Sequence, residues 1–282
     1  MRLTKILKQY MPEWFIFMHA YHSLRGKWPN YINPKDISEI WIQKYLSGYF
    51  HKYYYLADKY EVRKYVESKG CKDILVPLVG VWDSVKDINW KEVPEEFALK
   101  LNYGAGMNII CTDKNTLNIQ KVESQLDRWI NAPKSANFET HYNLINRKII
   151  CEEFIKDNNG IFPYDYKFIC IHGEPICILT CTNRESGTPS DAVFTLDWKL
   201  LPHFRKATSP NIKSPMNLDK MLKYARILAE GLDLVRIDFY DTEDKIYFGE
   251  MTLTPAGCLF HAWTQEALDE LGEIYRNKKK SL

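Results

Sequence analysis

Two acids interrupt two short apolar runs in the stretch RIDFYDTEDKIYFGEMTLTPAGC (236–258): Asp238 in the first run and Glu250 in the second. The polar turn Asp241-Thr242-Glu243-Asp244 between them predicts a β-hairpin. Whichever turn closes it, positions 238 and 250 fall within about two rows of each other, and alternation places Phe248, Glu250 and Thr252 on one face. Two carboxylates facing each other over an apolar sheet repel, and burying them unpaired is costly. A hard dication resolves the conflict. Mg²⁺ takes octahedral oxygen ligands, typically one or two carboxylates, and fills the remainder with water and nucleotide phosphates. Two exposed acids at a hairpin edge are the plainer alternative. The tail TLTPAG, which would turn the chain sharply beside the acids, weighs against it.

A magnesium–nucleotide site needs positive charge opposite the acids. Lys100 lies in FALKLNYGAG, inside an apolar strand followed by a short glycine-bearing loop. Its ammonium can leave the sheet to meet a phosphate, with backbone N–H groups of the loop joining it. The same residues also suit an edge lysine that snorkels to solvent. In CEEFI (151–155), acids and then apolar residues follow a strand, which would suit a purine hinge. A surface loop reads equally well from that segment alone.

These residues need elements to hold them. Asp36 caps a helix that carries Ile37, Ile40, Trp41, Tyr45 and Leu46 on one face. A second helix is expected from Asp58 to Lys69, with Gly70 past its end. DILVPLVGVW, FALKL and IICT read as strands, and a helix over about 115–131 follows. From Ile149 onward strands dominate: IICEEFI, YKFICIH, PICILTC and AVFTL. Helices are expected at 218–230 and 263–277. Without strict βαβ alternation, the mixture predicts an α+β architecture with largely antiparallel sheets.

Composition narrows the class. The chain has 282 residues, 45% of them hydrophobic, enough for a large core shared by subdomains. A formal charge of +2 gives no reason to expect nucleic acid or an anionic membrane as main partner. The 18 tyrosines can pack a ring and still offer a hydroxyl to a polar ligand. The seven cysteines are odd in number and form no C-x-x-C, which fits reduced thiols of a cytoplasmic protein. His19 and His22 have no matching Cys or His pair to make a metal site. The N-terminal apolar segment is short and carries Glu13 and His19, so neither a signal peptide nor a membrane span is expected. Its aromatic clustering leaves a docking surface open.

In order and spacing, RGKWPNYINPKDISEIW (25–41), LADKYEVRKYV (56–66), FALKLNYGAG (97–106), EEFI with PYDYKF (152–168) and the hairpin segment resemble the ATP-grasp superfamily. Within it, the chain is most similar to the TupA-like family associated with polysaccharide biosynthesis. The resemblance implies an ATP-grasp fold, two α+β subdomains clamping Mg–ATP. Residues 1–57 would form a helical, aromatic-rich N-terminal region, 58–148 the first subdomain, and 149–282 the second, with the hinge and metal hairpin. It also implies roles. Lys59 and Lys100 would contact ATP phosphates under a cover from Gly104 to Gly106. Glu152, Glu153, Phe154 and Ile155 would form the adenine hinge, and Asp165 would reach the ribose. Asp238 and Glu250 would hold Mg²⁺, with Thr252 where many relatives have an asparagine ligand. Arg236 would act on the reacting phosphate, as catalytic partner of Lys100. Lys167 and Arg184 are weaker candidates for phosphate or substrate.

The expected reaction is amide formation between a uronic acid carboxyl and an amino acid or small amine through an acylphosphate. The acid would be carried on a sugar nucleotide or glycan, in capsular or surface polysaccharide biosynthesis. The N-terminal part is short for a full domain ahead of the clamp, so the acceptor site must draw on the first 55 residues, on the loop after Arg184, or on a partner subunit of a homo-oligomer. Location in the cytoplasm, peripheral to the inner face of the membrane, would suit this. The alternatives are a glycosyltransferase, against which stands the lack of D-x-D, and a nucleotide-binding scaffold without chemistry.

Overall fold

The computed structural model describes residues 11–135, 138–156, 163–182, 190–205 and 212–278. Helices α1 (Glu13–Arg25), α2 (Ile37–Leu46) and the single turn α3 (Tyr49–Lys52) open the chain. α2 starts where Asp36 and Glu39 form a capping box, and it buries Ile37, Ile40, Trp41 and Tyr45. The next helix, α4, covers only Val62–Ser68 and does not begin at Asp58. Asp58 Oδ1 accepts from the backbone of Tyr60 and Glu61 at 2.8 and 3.2 Å, so it fixes a turn ahead of the helix. Lys59 N–H is meanwhile drawn to the carbonyl of Asn102 at 2.7 Å.

The first sheet is antiparallel and contains β1 (Leu78–Trp82), β2 (Phe97–Leu101), β3 (Asn108–Cys111) and β4 (Ile149–Glu153) in the order β1-β4-β2-β3. Helix α5 (Ile119–Ile130) covers it, setting Val122 and Leu126 against Phe97, Leu99 and Leu101. Strand β4 lies in this sheet, on the far side of the expected 148/149 boundary. Its apolar residues pair with β2, and that long-range pairing leaves no mark in local sequence.

The second sheet, also antiparallel, has the order β7-β6-β5-β8-β9, with β5 (Asp165–Ile171), β6 (Glu174–Thr182), β7 (Ser190–Phe194), β8 (Leu234–Asp241) and β9 (Ile246–Thr252). Helix α6 (Leu218–Ala229) buries Met221, Leu222, Ala225 and Leu228 against it, and α7 (Gln265–Asn277) closes the described chain. The N-terminal helices do not form a core of their own. Phe17, Tyr21, Ile40 and Trp41 share one continuous core with Phe168, Ile237, Met251 and Phe260. All seven thiols are free, and six of them are buried. Among the described residues no helix is long and apolar enough to cross a membrane.

Helix α7 packs on the start of α2 at Gly272. A Cβ there would lie 2.1 Å from the Lys35 carbonyl oxygen and 2.7 Å from Asp36 Cα. Alanine favours a helix by about 1 kcal/mol over glycine, but a clash with backbone forces the helices apart. Gly272→Ala is therefore expected to lower stability by about 1–3 kcal/mol in urea unfolding, against the propensity scale.

Candidate active site

The two sheets face each other across a cleft of about 620 Å³. The second sheet supplies a row of charges that its register sets side by side: Lys167 on β5 pairs with Asp238 on β8, which pairs with Glu250 on β9. One row further from the turn come Arg236 and Thr252, also paired. Strict alternation would put Phe248 beside Glu250, and it does not. A β-bulge at Gly249 offsets the register, so Asp238 opposes Glu250 while Phe239 opposes Phe248. Ile246, Phe248, Met251 and Leu253 are then buried in the core, and Glu250 and Thr252 face the cleft. Glycine suits the bulge because a Cβ would sit 3.1 Å from the Asp238 carbonyl and 3.2 Å from the Tyr240 ring.

Within this row the charges interlock. Arg236 Nε donates to Asp238 Oδ1 at 2.7 Å, and Nη2 bridges Asp238 Oδ2 at 2.7 Å and Glu250 Oε1 at 2.8 Å. Lys167 Nζ lies 2.5 Å from Asp165 Oδ2 and 2.6 Å from Asp238 Oδ2. Thr252 donates to Glu250 Oε1 at 3.1 Å. Asp238 is only 2% exposed. Burial pushes its carboxyl above the usual range, with Arg236 and Lys167 pulling the other way. Burial also acts to raise Glu250, but Lys59, Arg236 and Lys167 outweigh it and hold the group at about 2.

The facing wall comes from the first sheet and the turn before α4. Lys59 Nζ donates to the Gly104 carbonyl at 2.6 Å and stands 3.6 Å from Glu250 Oε2, so it spans the cleft. Lys100 Nζ pairs with Glu152 Oε2 at 2.7 Å, and Arg63 holds the other oxygen of Glu152 at 3.1 Å. Gly104, Gly106, Phe154 and Asp165 line the same cleft. Glu152 is buried under Lys100, while Glu153 is exposed, with its N–H on the Pro77 carbonyl. Ile155 is half-buried, and Arg184 lies outside the described residues.

Sequence reasoning missed three residues. Asn102 is fully buried, and its side chain ties Asp58 at 2.9 Å, the Asn146 carbonyl at 3.0 Å and the Lys148 N–H at 2.8 Å. It thereby holds the Lys59 turn against the end of β2; an asparagine immediately after the FALKL strand was its one visible sign. Arg63 orients Glu152, and Glu139, bonded to Thr254, lies near enough to Arg236, Lys59 and Glu250 to feel their charge. Arg63 sits in helix α4 but no motif singles it out, and Glu139 lies in an aperiodic connection.

Two carboxylates and a hydroxyl on adjacent strands make an all-oxygen set suited to a hard cation. Asp238 Oδ2 and Glu250 Oε1 converge on one nitrogen of Arg236, so the two carboxylates stand close enough to share one ion, for which that nitrogen would give way. The set thus fits Mg²⁺, with the remaining ligands left to water and phosphate oxygens.

His141, next to this region, is fully buried, and neither ring nitrogen has a hydrogen-bond partner among the described residues. Burial, with His51 nearby, lowers its pKa from 6.5 to about 3. The folded state therefore resists protonation that the unfolded chain accepts. Stability is full above pH 6.5 and falls as pH drops from there toward 3. His141→Leu should remove this loss, gaining ~2 kcal/mol on the parent at pH 5 compared with pH 8 in urea unfolding.

Two antiparallel sheets closing on a cleft of opposed lysines and carboxylates are those of an ATP-grasp protein. More narrowly, the chain belongs to the TupA-like ATPgrasp family, whose model matches residues 40–276. Comparison with curated proteins gave no match. Among solved structures it is similar to the D-alanine–D-alanine ligase of Bacillus anthracis, at 16% identity and a TM-score of 0.47, over 79% of this chain and 64% of that one. It is also similar to the ATP-grasp ligase PsnB, solved with a phosphomimetic precursor variant, Mg and ADP, at 10% identity and a TM-score of 0.45, over 86% and 66%. A third is the N5-carboxyaminoimidazole ribonucleotide synthetase of Thermus thermophilus, at 14% identity and a TM-score of 0.40, over 84% and 51%. The chain thus spans less than two thirds of the length of each of these three.

Proposed function

We propose that the protein is an ATP-dependent carboxylate–amine ligase that joins the carboxyl of a uronic acid to an amino acid or small amine, in surface polysaccharide biosynthesis. The observation that carries this reading is the row Lys167–Asp238–Glu250, forked by Arg236, facing Lys59 and Lys100 across the cleft. Such an arrangement suits a triphosphate, whose reaction is catalysed mainly by positioning and by neutralising charge on equatorial oxygens. Asp238 and Glu250, with Thr252 beside them, would hold Mg²⁺, which when bound supplies positive charge to the phosphates. Lys59 and Lys100 would grip phosphate oxygens from the opposite wall, and Gly104 to Gly106 would cover them. The Glu152–Ile155 segment would take the adenine and Asp165 the ribose. Arg236, the cation at the far end of the row, would face the phosphoryl group in transfer and then the acylphosphate. Lys167 would keep Asp238 ionised.

The test is release of ADP and phosphate with Mg–ATP, across a panel of uronic and UDP-uronic acids combined with an amino-acid mixture. Glu250→Gln serves as control. Release that needs both a sugar carboxylate and an amine, and that the control lacks, supports the ligase. UDP release without ATP consumption would favour a glycosyltransferase. Nucleotide binding without turnover for any acid would favour a scaffold.

A further inference from the structure

The cleft-facing row has a direction. The connection between the sheets leaves β4 at Phe154 and enters β5 at Asp165, which pairs with Tyr240. From Tyr240 the row runs through Asp238 and Glu250 to Arg236 and Thr252, and the chain leaves β9 there and reaches Thr254 two residues on. Thr254 donates to Glu139 Oε1 at 2.9 Å. Glu139 therefore stands beyond the arginine, on the side of the charged row away from the inter-sheet connection, and near enough to Arg236, Lys59 and Glu250 to feel their charge.

The fold goes to some length to hold it there. Phe138 and Glu139 both have left-handed backbones, at φ 56° and 49°, a conformation that costs a side-chain-bearing residue free energy. Helices α1 and α2 fix this turn. Glu13 Oε1 accepts from Phe138 N–H at 3.1 Å and from Tyr45 O–H at 2.8 Å, and Tyr45 Oη accepts from Thr140 N–H at 3.0 Å. The Phe138 ring packs edge-on against Phe17 at 4.6 Å. Glu139 itself is half-buried, and among the described residues Thr254 is the sole hydrogen-bond partner of its side chain.

An anion at this end is unexpected if only anions bind. ATP and a carboxylate acceptor are both negative, and Asp238 and Glu250 already suffice for the dication. Arg236 and Lys59 offset part of this further carboxylate's charge, but both are assigned above to phosphate, so a cationic substrate is the partner left for it. On the ligase reading above, one substrate is a cation in water: the amine, as its ammonium. We propose that Glu139 is the seat of the ammonium nucleophile and the base that takes its proton. In the step, R′–NH₃⁺ gives one proton to the Glu139 carboxylate, and the freed lone pair forms the C–N bond at the acyl carbon. The C–O bond to phosphate breaks, and the phosphate leaves with that electron pair. The second nitrogen proton departs with it, giving the amide and HPO₄²⁻. Burial raises the Glu139 carboxyl, with the Thr254 hydrogen bond opposing, which suits a proton acceptor.

The experiment separates the two half-reactions in the full chain. Hydroxylamine is largely uncharged near neutral pH and traps an acylphosphate as a hydroxamate without needing an anionic seat or a base. Wild type, Glu139→Gln and Glu139→Asp would be assayed with Mg–ATP and the uronic-acid panel, once with hydroxylamine and once with an amino-acid mixture. Thermal melting of each variant reports folding. The expected result is wild-type-like hydroxamate formation in Glu139→Gln, with amide formation down about 100-fold or more. Glu139→Asp should recover part of the amide rate, and the KM for ATP should hold. Equal loss of hydroxamate and amide in both variants would place Glu139 in phosphoryl transfer or in folding and overturn the proposal. Unchanged amide formation in Glu139→Gln would overturn it as well. If wild type forms no hydroxamate with any acid, the ligase reading itself fails, and this inference falls with it.

Discussion

Asp238→Asn is expected to lower ATP turnover by about 10³-fold or more. The aspartate is 2% exposed and accepts from Arg236 through both oxygens and from Lys167 through Oδ2. Asparagine has the same shape, but it replaces one acceptor with an NH₂ group that must face the Arg236 or Lys167 donors. That leaves a buried cation short of its counter-charge, at a cost on the order of 3 kcal/mol to the fold. On the proposed metal assignment the functional loss exceeds this, because the dication would also forfeit one of its two carboxylates. Three measurements separate the effects: urea unfolding, Mg²⁺-dependent binding of a fluorescent ATP analogue, and ADP release. A variant that remains folded and turns over within about 10-fold of the parent would remove Asp238 from the metal assignment.

Arg236→Gln should reduce kcat by about 10²–10³-fold with a smaller change in the KM for ATP, since the role proposed for it is on the reacting phosphate. Arg236→Lys is expected to restore little. The arginine works as a fork, Nε on one oxygen of Asp238 and Nη2 shared between Asp238 and Glu250. A lysine ammonium carries the charge but cannot reproduce that planar geometry. Near-complete rescue by lysine would show that charge alone suffices and that the fork only organises the two carboxylates.

What the sequence disclosed was mostly local. Asp36 ahead of an apolar helical face announced the N-cap, and the start of α2 followed; Glu39's part in a capping box emerged only in the structure. A lysine inside FALKL marked a strand with one polar exit. The acids flanking a four-residue polar turn were legible as cross-strand neighbours, and they pair directly. The bulge at Gly249 was not legible, because one extra residue reverses the faces downstream without altering composition. Glu139 was hidden for another reason. It sits in a short, aperiodic connection, and its place depends on Glu13, Phe17 and Tyr45, residues far away in the chain. The merging of the N-terminal helices with the core of the second sheet is likewise a tertiary fact, since an apolar helical face does not name its partner.

That shared core has a mechanical consequence. β1–β4 and α5 have an apolar core of their own, whereas α1, α2 and the 253–263 segment are bound into the core of the second sheet. Arg25 alone spans three carbonyls of that segment, those of Leu259, Phe260 and Trp263. On the proposed reading, a rocking of the smaller body would open the nucleotide side of the cleft while Glu139's supports stay seated with Asp238 and Glu250, and spent nucleotide would be exchanged without dismantling those supports. In hydrogen exchange, amides of β1–β4 should open as one cooperative unit, and those of α1 and α2 should open together with β5, β8 and β9.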